Sequence, residues 1–217
     1  MSALKRIKYP LIEVFYSIQG EGKFAFTPAL FIRLGGCPVE CPWCDTTYSW
    51  DASKYPSLTP DDITGICIQT MESARGALPR IIVITGGEPA YYDLFPLTEK
   101  LNSLNLPVHI ETSGAFKIRG RFQWITISPK PHISDYKIPL ILEENLKRAN
   151  ELKVVIASER DIEWAIKCEK LCNPGTSLYL QPEWNSFSVV LPLILEFIRR
   201  DGRWSLSLQH HKFFKLP

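Results

Sequence analysis

Short apolar runs alternate with amphipathic stretches along most of this chain, and this alternation limits its fold more than any other feature. The runs have the length and composition of strands, and several of the stretches between them have helical spacing. Repeated strand-helix units predict a parallel sheet, either open or curled into part of a barrel, with too few units for a complete eight-fold barrel. The predicted strands are 30–34, 81–85, 108–111, 124–127, 153–156, 178–180 and 206–208.

The helix patterns between the strands carry recognisable start signals. Thr59 supplies an N-cap before Pro60 and two acidic residues, which indicates a helix over 63–74. Further helices are predicted at about 93–103, 143–150, 160–171 and 189–200. No linker, low-complexity tract or repeat divides the chain, so residues 1–217 are expected to form a single domain.

Composition excludes several classes of function. A hydrophobic content of 45% over 217 residues is enough to bury one good core. A formal charge of +2 gives no strongly basic surface, so nucleic acid is not an expected partner. The basic residues near the N-terminus precede no apolar signal core, and no apolar stretch approaches the length of a bilayer span. We therefore expect no membrane partner and a cytoplasmic location.

Polar and backbone-permissive groups follow almost every predicted strand. Parallel α/β sheets place their chemistry at the carboxyl ends of the strands, so these groups are expected to converge on one rim. A single turn sequence is weak evidence, but six in the same topological position predict a site. They are Cys37 and residues 86–89, 111–114, 128–130, 181–182 and 209–212.

Three cysteines, Cys37, Cys41 and Cys44, lie together just after the first predicted core strand. A cytosolic chain rarely keeps disulfides, so clustered cysteines favour metal binding or redox chemistry. Three thiolates on one loop suit three irons of a cubane 4Fe–4S cluster, whose fourth iron stays open to an exchangeable ligand. Two alternatives remain: a structural zinc site, for which no fourth ligand follows at suitable spacing, and free buried thiols.

The spacing of the cysteines, with an aromatic residue before the last, resembles the signature of radical S-adenosylmethionine (SAM) enzymes, in which SAM chelates the open iron. The glycines at 86–87 would let the backbone approach such a ligand closely. Glu88 would accept hydrogen bonds from the SAM ammonium group. Ser113, Ser128 and Lys130 are candidate donors to its carboxylate or ribose.

A closer resemblance, to the 7-carboxy-7-deazaguanine synthase family, runs from about residue 11 to the C-terminus. Its most specific parts are Gln-Gly-Glu-Gly at 19–22, within the stretch 15–22, and the tail at 208–217. The other matching stretches are 31–34, 44–46 and 85–89. The resemblance implies an α/β fold in the form of an incomplete TIM-like radical SAM barrel, with mostly parallel strands and reduced helices.

The activity implied by this resemblance is that of a lyase. It would convert 6-carboxy-5,6,7,8-tetrahydropterin to 7-carboxy-7-deazaguanine with release of ammonia, in queuosine and deazapurine biosynthesis. The radical is generated on SAM at the cluster, so no side chain is assigned a catalytic role. The implied cofactors are a 4Fe–4S cluster, SAM and Mg²⁺. The implied partners are the pterin substrate, an electron donor such as flavodoxin, and a second copy of the chain in a homodimer.

The resemblance also assigns the residues of the site. Cys37, Cys41 and Cys44 would bind the cluster, and Thr46 would bind Mg²⁺. An N-terminal segment, 11–22, and a C-terminal tail, 205–217, would both contact substrate. SAM would be held by Trp43, Cys44, Asp45, Gly87, Glu88, Ser113, Ser128, Pro129, Lys130 and Gln181. The substrate would be held by Ile18, Gln19, Gly20, Glu21, Arg33, Thr85, His211 and Pro217.

The chemistry of these residues suits a pterin. An amide beside an acid, as in Gln19 and Glu21, reads donors and acceptors along one edge of a heterocycle, and Arg33 can form a two-pronged bond to a carboxylate. Mg²⁺ prefers hard oxygen ligands and keeps several waters, so Thr46 with substrate oxygens makes a weak site. The alternative for Thr46 is a turn-capping role.

Two other functions are compatible with the cysteines alone. A radical SAM enzyme that acts on a protein, such as a glycyl-radical activase, would give no reason for the segment 19–21. A zinc-binding interaction module would hold zinc without SAM. The sequence does not decide whether His210 or His211 faces the pocket. The remaining cysteines and histidines are expected to be structural: Cys67, Cys168, Cys172, His109 and His132.

Overall fold

The computed structural model describes residues 7–74, 78–131 and 141–217. Within them, a nine-stranded sheet has the order β3-β1-β2-β4-β5-β6-β7-β8-β9. From β2 to β9 this order follows the chain, with β3 displaced to the edge beside β1. The strands are β1 (Tyr9–Ile18), β2 (Pro28–Leu34), β3 (Ser57–Leu58), β4 (Ile81–Gly86), β5 (Val108–Thr112), β6 (Trp124–Ile127), β7 (Glu151–Ile156), β8 (Ser177–Pro182) and β9 (Trp204–Leu206).

Parallel pairing dominates the sheet, as the alternation of strands and helices predicts. β2 pairs in parallel with β4, and each later strand pairs in parallel with the next. Only β1 is antiparallel to its neighbours, β2 and β3. The carboxyl ends of β2 and of the strands from β4 onward therefore lie along one rim.

Helices pack on the outer face of the sheet over one large apolar core. Leu30, Ile32 and Leu34 of β2 alternate into this core, where they meet Ile82 and Ile84 of β4, all fully buried. The helices are α1 (Pro60–Ser73), α2 (Phe95–Asn102), α3 (Glu143–Leu146), α4 (Glu159–Glu169), α5 (Phe187–Asp201) and α6 (His210–Phe214). One-turn 3-10 helices lie at Gly22–Phe24, Thr47–Ser49, Ala52–Lys54 and Pro89–Tyr91.

The opposite face of the sheet surrounds a smaller interior. Here Ala29, Ile81 and Val83 form a second apolar cluster, against which Phe24 packs. The Phe24 ring lies edge-on to the rings of His109 in β5 and Trp124 in β6, at centroid distances of 4.6 and 4.9 Å. The segment 19–26, which links β1 to β2, therefore fills the interior and crosses towards strands far from it in the sheet order.

Hydrogen bonds to the far side of the sheet hold this segment in place. The Ser207 hydroxyl, just after β9, accepts from the Gly22 amide at 3.0 Å, and the His210 amide donates to the Gly20 carbonyl at 3.0 Å. The Glu151 carboxylate accepts from the Lys23 amide at 3.0 Å. The two ends of the curved sheet are thus joined by a loop instead of by strand pairing.

The structure corrects three details of the sequence prediction. The strand β1 is not predicted, because Pro10 and Glu13 interrupt its apolar run, as suits a strand near the sheet edge. The last strand is Trp204–Leu206 and not 206–208, since Gly202 ends α5 in a left-handed conformation and the chain enters the sheet at once. The helix predicted at 143–150 ends at Leu146, because Asn150 already bridges β6 and β8 through its backbone.

Candidate active site

A cavity of about 470 Å³ opens at the rim formed by the carboxyl ends of the strands. Every residue that the family resemblance assigns by name to the cluster, Mg²⁺, SAM or substrate lines this cavity, except Pro129, which is buried beside it. Glu111, Gln209 and Lys212, which the sequence places only among the polar groups after the strands, also line it. The lining residues that the sequence does not predict include Lys153, Glu183 and Trp184.

The cysteine loop forms one wall of the cavity. All three cysteines are free thiols, with Cys37 and Cys41 buried and Cys44 half-buried. Burial raises the pKa of Cys37 to about 11 and also raises the pKa of Cys41. These thiols therefore ionise readily only when a metal binds them.

No three His, Cys, Asp or Glu side chains in the described ranges are arranged to hold one metal ion. The cysteine loop is therefore not a preformed tetrahedral zinc site. Thiolates of a cubane cluster each bind a different iron, so they lie farther apart than the ligands of one ion. The donor set of three free thiols facing one cavity fits such a cluster.

The glycine loop after β4 is hydrogen-bonded to the cysteine loop. The Gly87 amide donates to the Leu34 carbonyl at 2.8 Å, and the Glu88 amide donates to the Gly36 carbonyl at 2.9 Å. A Cβ atom at residue 87 would lie 2.3 Å from the Gly36 oxygen, closer than real Cβ contacts. Only glycine at this position lets the two loops approach each other beside the cavity.

The Glu88 carboxylate is held rigidly at the cavity wall. It is 2% exposed and accepts from the Ser113 amide at 2.8 Å, the Ser113 hydroxyl at 2.5 Å and the Ala90 amide at 2.9 Å. It also accepts from the Thr112 hydroxyl. These donors fix the orientation of the carboxylate.

Ser128 and Lys130 follow β6 and continue the same wall. The Lys130 ammonium donates to the Ser128 hydroxyl at 2.6 Å. Burial lowers the pKa of Lys130, while the nearby Cys41 thiol opposes this change. The two side chains thus place a cation next to the cysteine loop.

The Gln19–Glu21 segment forms the facing wall. The Gln19 side-chain nitrogen donates to Glu111 at 2.8 Å, and its oxygen accepts from the Glu21 amide at 3.1 Å. The Lys153 ammonium lies 2.5 Å from a Glu21 oxygen and 3.5 Å from a Glu111 oxygen. An amide and two carboxylates are therefore ordered around a single buried cation.

Arg33 lies at the end of β2, and Glu13 and Phe15 hold its side chain. Its Nε lies 2.7 Å from a Glu13 carboxylate oxygen, and its guanidinium lies over the Phe15 ring, 5.3 Å from the centroid. Phe15 in turn stacks on Phe31 at 5.0 Å. The contact to Glu13 uses Nε, which leaves the terminal guanidinium nitrogens available to an anion.

The tail after β9 places His211 in the cavity and His210 outside it. His211 lines the cavity, with Nδ1 3.9 Å from Glu21 and Nε2 4.0 Å from Asp45. The His210 ring packs on Phe26, and its Nδ1 lies 2.9 Å from the Gly20 carbonyl oxygen. The sequence does not decide which of the two histidines faces the cavity, and these contacts show that it is His211.

Asp45 and Thr46 connect the cysteine loop to the tail. Asp45 lies 3.1 Å from the Lys212 ammonium, and the Gln209 side chain donates to it at 3.5 Å. The Thr46 hydroxyl lies 3.5 Å from the Cys44 sulfur, while the Thr46 carbonyl accepts from the Ser49 hydroxyl at 2.7 Å. The Thr46 carbonyl, not its hydroxyl, supports the turn.

The remaining cysteines and His109 do not line the cavity, as expected. Cys67 in α1 and Cys168 in α4 are buried in the helix layer, and the Cys172 thiol donates to the Cys168 carbonyl. His109 is 5% exposed between aromatic rings, and burial lowers its pKa to about 4. His132 lies outside the described residues.

Sequence reasoning missed Lys153 and the full role of Glu111. Lys153 lies in an otherwise apolar strand two residues after Glu151, so both side chains point to the same face. Two charged residues with this spacing in a buried strand are a signal of a functional interior. The sequence places Glu111 among the polar groups at the rim but assigns it no contact.

Comparisons with known proteins identify this arrangement. No family model matches the chain. A crystal structure of QueE from Escherichia coli matches it with a TM-score of 0.79 and 33% identity, covering 94% of this chain and 95% of that chain. The fold is therefore an incomplete TIM-like radical SAM barrel, and the chain is an enzyme of the radical SAM class.

Curated relatives identify the family within that class. A 7-carboxy-7-deazaguanine synthase from Synechocystis is 43% identical over 98% of this chain and 96% of its own. Proteins of the same name from Flavobacterium psychrophilum and Escherichia coli are 40% and 34% identical, over 96% and 97% of this chain and 92% and 100% of their own. The chain belongs to the 7-carboxy-7-deazaguanine synthase family, which are lyases. In the part of the chain that the structure describes, no helix is long and apolar enough to cross a membrane.

Proposed function

We propose that this chain converts 6-carboxy-5,6,7,8-tetrahydropterin to 7-carboxy-7-deazaguanine with release of ammonia, a step in queuosine and deazapurine biosynthesis. One observation carries the proposal. A single cavity has a cysteine and glycine wall suited to a cluster and SAM, and a facing wall of amide, carboxylate and guanidinium groups suited to a carboxylated pterin. Neither a zinc-binding interaction module nor an enzyme acting on a protein accounts for the second wall.

The first wall would hold a 4Fe–4S cluster and SAM. Cys37, Cys41 and Cys44 would bind three irons, and SAM would chelate the fourth. When bound, these groups supply the one-electron chemistry that begins the reaction. Glu88 would accept from the SAM ammonium, and Lys130 would donate to an anionic group. The other SAM contacts would come from Trp43, Asp45, Gly87, Ser113, Ser128, Pro129 and Gln181.

The facing wall would hold the pterin. Glu21 would accept hydrogen bonds from the amino and ring N–H donors of the heterocycle, and Gln19 would pair beside it. Arg33 would bind the substrate carboxylate through its terminal nitrogens. Its pairing with Glu13 keeps the guanidinium in one orientation. Ile18, Gly20, Thr85, His211 and Pro217 complete this wall.

Thr46 would contribute a hydroxyl ligand to Mg²⁺, together with substrate oxygens and water. Two observations support this assignment. The Thr46 carbonyl, not its hydroxyl, stabilises the turn, and both Thr46 and Asp45 line the cavity. Mg²⁺ would help to neutralise the substrate carboxylate.

We also propose the domain organisation, the cellular compartment and the partners of the chain. The chain would act as one domain in which the N-terminal segment 11–22 and the tail 205–217 both contact substrate, since both reach the cavity. Its free cysteines suit a reducing compartment such as the cytoplasm. A low-potential donor such as flavodoxin would supply the electron, and the chain would form a homodimer.

The test is direct turnover. The protein is reconstituted with iron and sulfide without oxygen, and SAM, reductant, Mg²⁺ and 6-carboxytetrahydropterin are added. Mass spectrometry is expected to detect 7-carboxy-7-deazaguanine and ammonia release. Cys41→Ala is expected to lose the cluster absorbance and the product.

Cys172→Ala is the matched control, because this thiol lies outside the cavity and its removal should leave turnover unchanged. A cluster that cleaves SAM but gives no deazapurine would contradict the substrate assignment. A protein that binds zinc and no iron under these conditions would contradict the cofactor assignment.

A further inference from the structure

One buried ammonium group lies between the carboxylates of the proposed substrate wall. The Lys153 side chain is 4% exposed and contacts Glu21 at 2.5 Å and Glu111 at 3.5 Å. Glu21 is 14% exposed and Glu111 is 26% exposed, and both line the cavity. Lys153 therefore connects two strands and the N-terminal segment at the place where substrate would bind.

Lys153 and the carboxylates around it shift each other's pKa. Burial alone would raise the pKa of Glu21, but the charge and hydrogen bond of Lys153 lower it to about 2. Burial alone would lower the pKa of Lys153, but the surrounding carboxylates, Glu111 first, raise it. Burial raises the pKa of Glu151. One buried ammonium group thus lies between two carboxylates, Glu21 and Glu111, that line the cavity.

We propose that Lys153 is a positioning residue for the substrate: its ammonium holds Glu21 ionised and, through Glu111, orients Gln19, so that carboxylate and amide face the pterin edge together. This inference rests on the proposed function, because it assumes a pterin in the cavity. It adds a residue that makes no assigned contact with substrate.

The chemistry of a pterin explains why the charge state matters. Its amino group and adjacent ring N–H are both donors, and an ionised carboxylate accepts from both at once. A protonated carboxyl group has an O–H that meets one of these donors and loses half of the pairing. Without Lys153, Glu21 would stay buried but would lose the charge that offsets its burial, so its pKa would rise.

Other polar and charged groups also face Glu21, and they contribute to the pH dependence that the test measures. His211 of the tail lies 3.9 Å away, and Gln181 of β8 donates a hydrogen bond to it. Glu111 of β5 faces it across Lys153, and Glu151 lies on β7 two residues from Lys153. Lys130, after β6, is the other cation close enough to interact with it. The Lys153 ammonium lies closer to Glu21 than the His211 ring does.

The experiment compares substrate binding in the reconstituted wild-type protein and Lys153→Met. Binding of 6-carboxytetrahydropterin is measured by anaerobic calorimetry with SAM present, from pH 6 to pH 9. We expect Lys153→Met to bind about 30-fold or more weakly at pH 7, because removing one member of a buried charge pair leaves its partner uncompensated. KM should rise by a similar factor, with a smaller change in kcat.

The pH profile distinguishes positioning from general destabilisation. In the wild type, Glu21 stays ionised from pH 6 to pH 9, so its protonation should not weaken substrate binding at the acidic end of this range. In Lys153→Met its pKa rises, so affinity should recover as pH increases and Glu21 loses its proton. Lys153→Arg keeps the charge and should restore a profile parallel to that of the wild type.

Lys167→Met is the matched control, because it removes an exposed lysine of α4 by the same substitution. It should leave both affinity and profile unchanged. Reductive SAM cleavage without substrate should persist in Lys153→Met, since Lys153 is not part of the cysteine wall. If the wild type binds and converts the pterin while Lys153→Met keeps the same affinity and profile, the inference about Lys153 is overturned and the proposed function stands. If the wild type neither binds nor converts it, the proposed function fails and the inference fails with it.

A second variant covers the case in which Lys153→Met does not fold. The double variant Glu21→Gln, Lys153→Met removes both the ammonium group and one of the two carboxylates beside it. We expect this double variant to fold, as measured by circular dichroism. A double variant that also stays unfolded would mean that Lys153 supports the core and not the two carboxylates. That result would overturn the proposal.

Discussion

The Gly20 carbonyl oxygen lies 2.9 Å from Nδ1 of His210 and accepts from the His210 amide at 3.0 Å, across 190 residues of chain. This pair joins the N-terminal segment to the tail at the edge of the cavity, which Gly20 lines. The His210 ring also packs on Phe26, in the segment 19–26 that links β1 to β2. The two parts of the chain that we assign to the substrate therefore hold each other in place.

We predict that His210→Ala raises KM for the pterin about five- to tenfold, since it removes one side-chain hydrogen bond and an aromatic contact that order the segment. SAM cleavage without substrate should be unchanged. His210→Asn keeps a side-chain donor and should recover part of the loss. Steady-state kinetics of the three proteins test this, and equal KM values would contradict it.

We predict that Gly87→Ala abolishes reductive SAM cleavage. The new Cβ would lie 2.3 Å from the Gly36 oxygen and would push the glycine loop away from the cysteine loop. Anaerobic assays of SAM cleavage and of cluster absorbance test this. A variant that keeps the cluster and normal cleavage would show that the two loops tolerate separation.

The same substitution at Gly65 should increase the stability of the protein and leave its activity unchanged. Gly65 lies within α1, and a Cβ there meets nothing within 4 Å. Gly65→Ala should stabilise the protein by about 1 kcal/mol, because alanine has the higher helix propensity. For a chain of this size that corresponds to a rise in Tm of about 2–4 °C. Thermal unfolding measures the rise, and turnover should be unaffected; a lower Tm would contradict the prediction.

We predict that Ser207→Ala raises the KM for both SAM and substrate. The buried Ser207 hydroxyl donates to Gln181 at 2.7 Å and accepts from the Gly22 amide, so it joins a proposed SAM contact to the substrate segment. Leaving those two groups unpaired should cost about 1–3 kcal/mol in total. Ser205→Ala, on the exposed face of β9, is the matched control. If Ser207→Ala changed the KM for only one of SAM and substrate, the proposed link between the two binding walls would be contradicted.

The free energy of unfolding should decrease at acidic pH because of His109. Its folded pKa, about 4, lies below the ordinary value of 6.5, so the unfolded chain binds more protons between these values. His109 stabilises the fold above pH 6.5, and this contribution is lost as pH falls towards 4. From pH 7 to pH 5 the loss should be about 2 kcal/mol.

His109→Phe should lack this part of the pH dependence, because phenylalanine places an uncharged ring against Phe24 and Trp124. Urea unfolding of the cluster-free protein at both pH values gives the difference between variant and wild type. An equal loss in both proteins would show that other groups cause the acid sensitivity.

Much of the site follows from the sequence because one topological rule locates it. Cys37, Glu88 and Lys130 each follow a strand of the parallel sheet, and strand ends meet at one rim whatever the details of packing. Family resemblance then supplies Gln19, Glu21 and Arg33. Lys153 escapes prediction, because its partners lie on β5, two strands away in the sheet, and on the loop after β1, and the sequence does not show that these elements meet. The strand β1 escapes for a local reason, since Pro10 breaks the pattern that identifies strands.

The incomplete closure of the sheet has a consequence for how substrate preference can change. The segment 19–26 and the tail join the two ends of the sheet, while the cysteine and glycine loops belong to the parallel strands. These two connecting pieces contribute a minority of the cavity wall: Gln19, Gly20, Glu21, Gln209, His211, Lys212 and Pro217. A change in these two connecting pieces would reshape the chamber while the parallel strands keep the cysteine and glycine loops in place. The tail still contacts the cysteine loop through Lys212 and Asp45, so a change there would be transmitted to the wall proposed for SAM. Substitutions in the segment 19–26 are therefore the simpler route to an altered substrate preference.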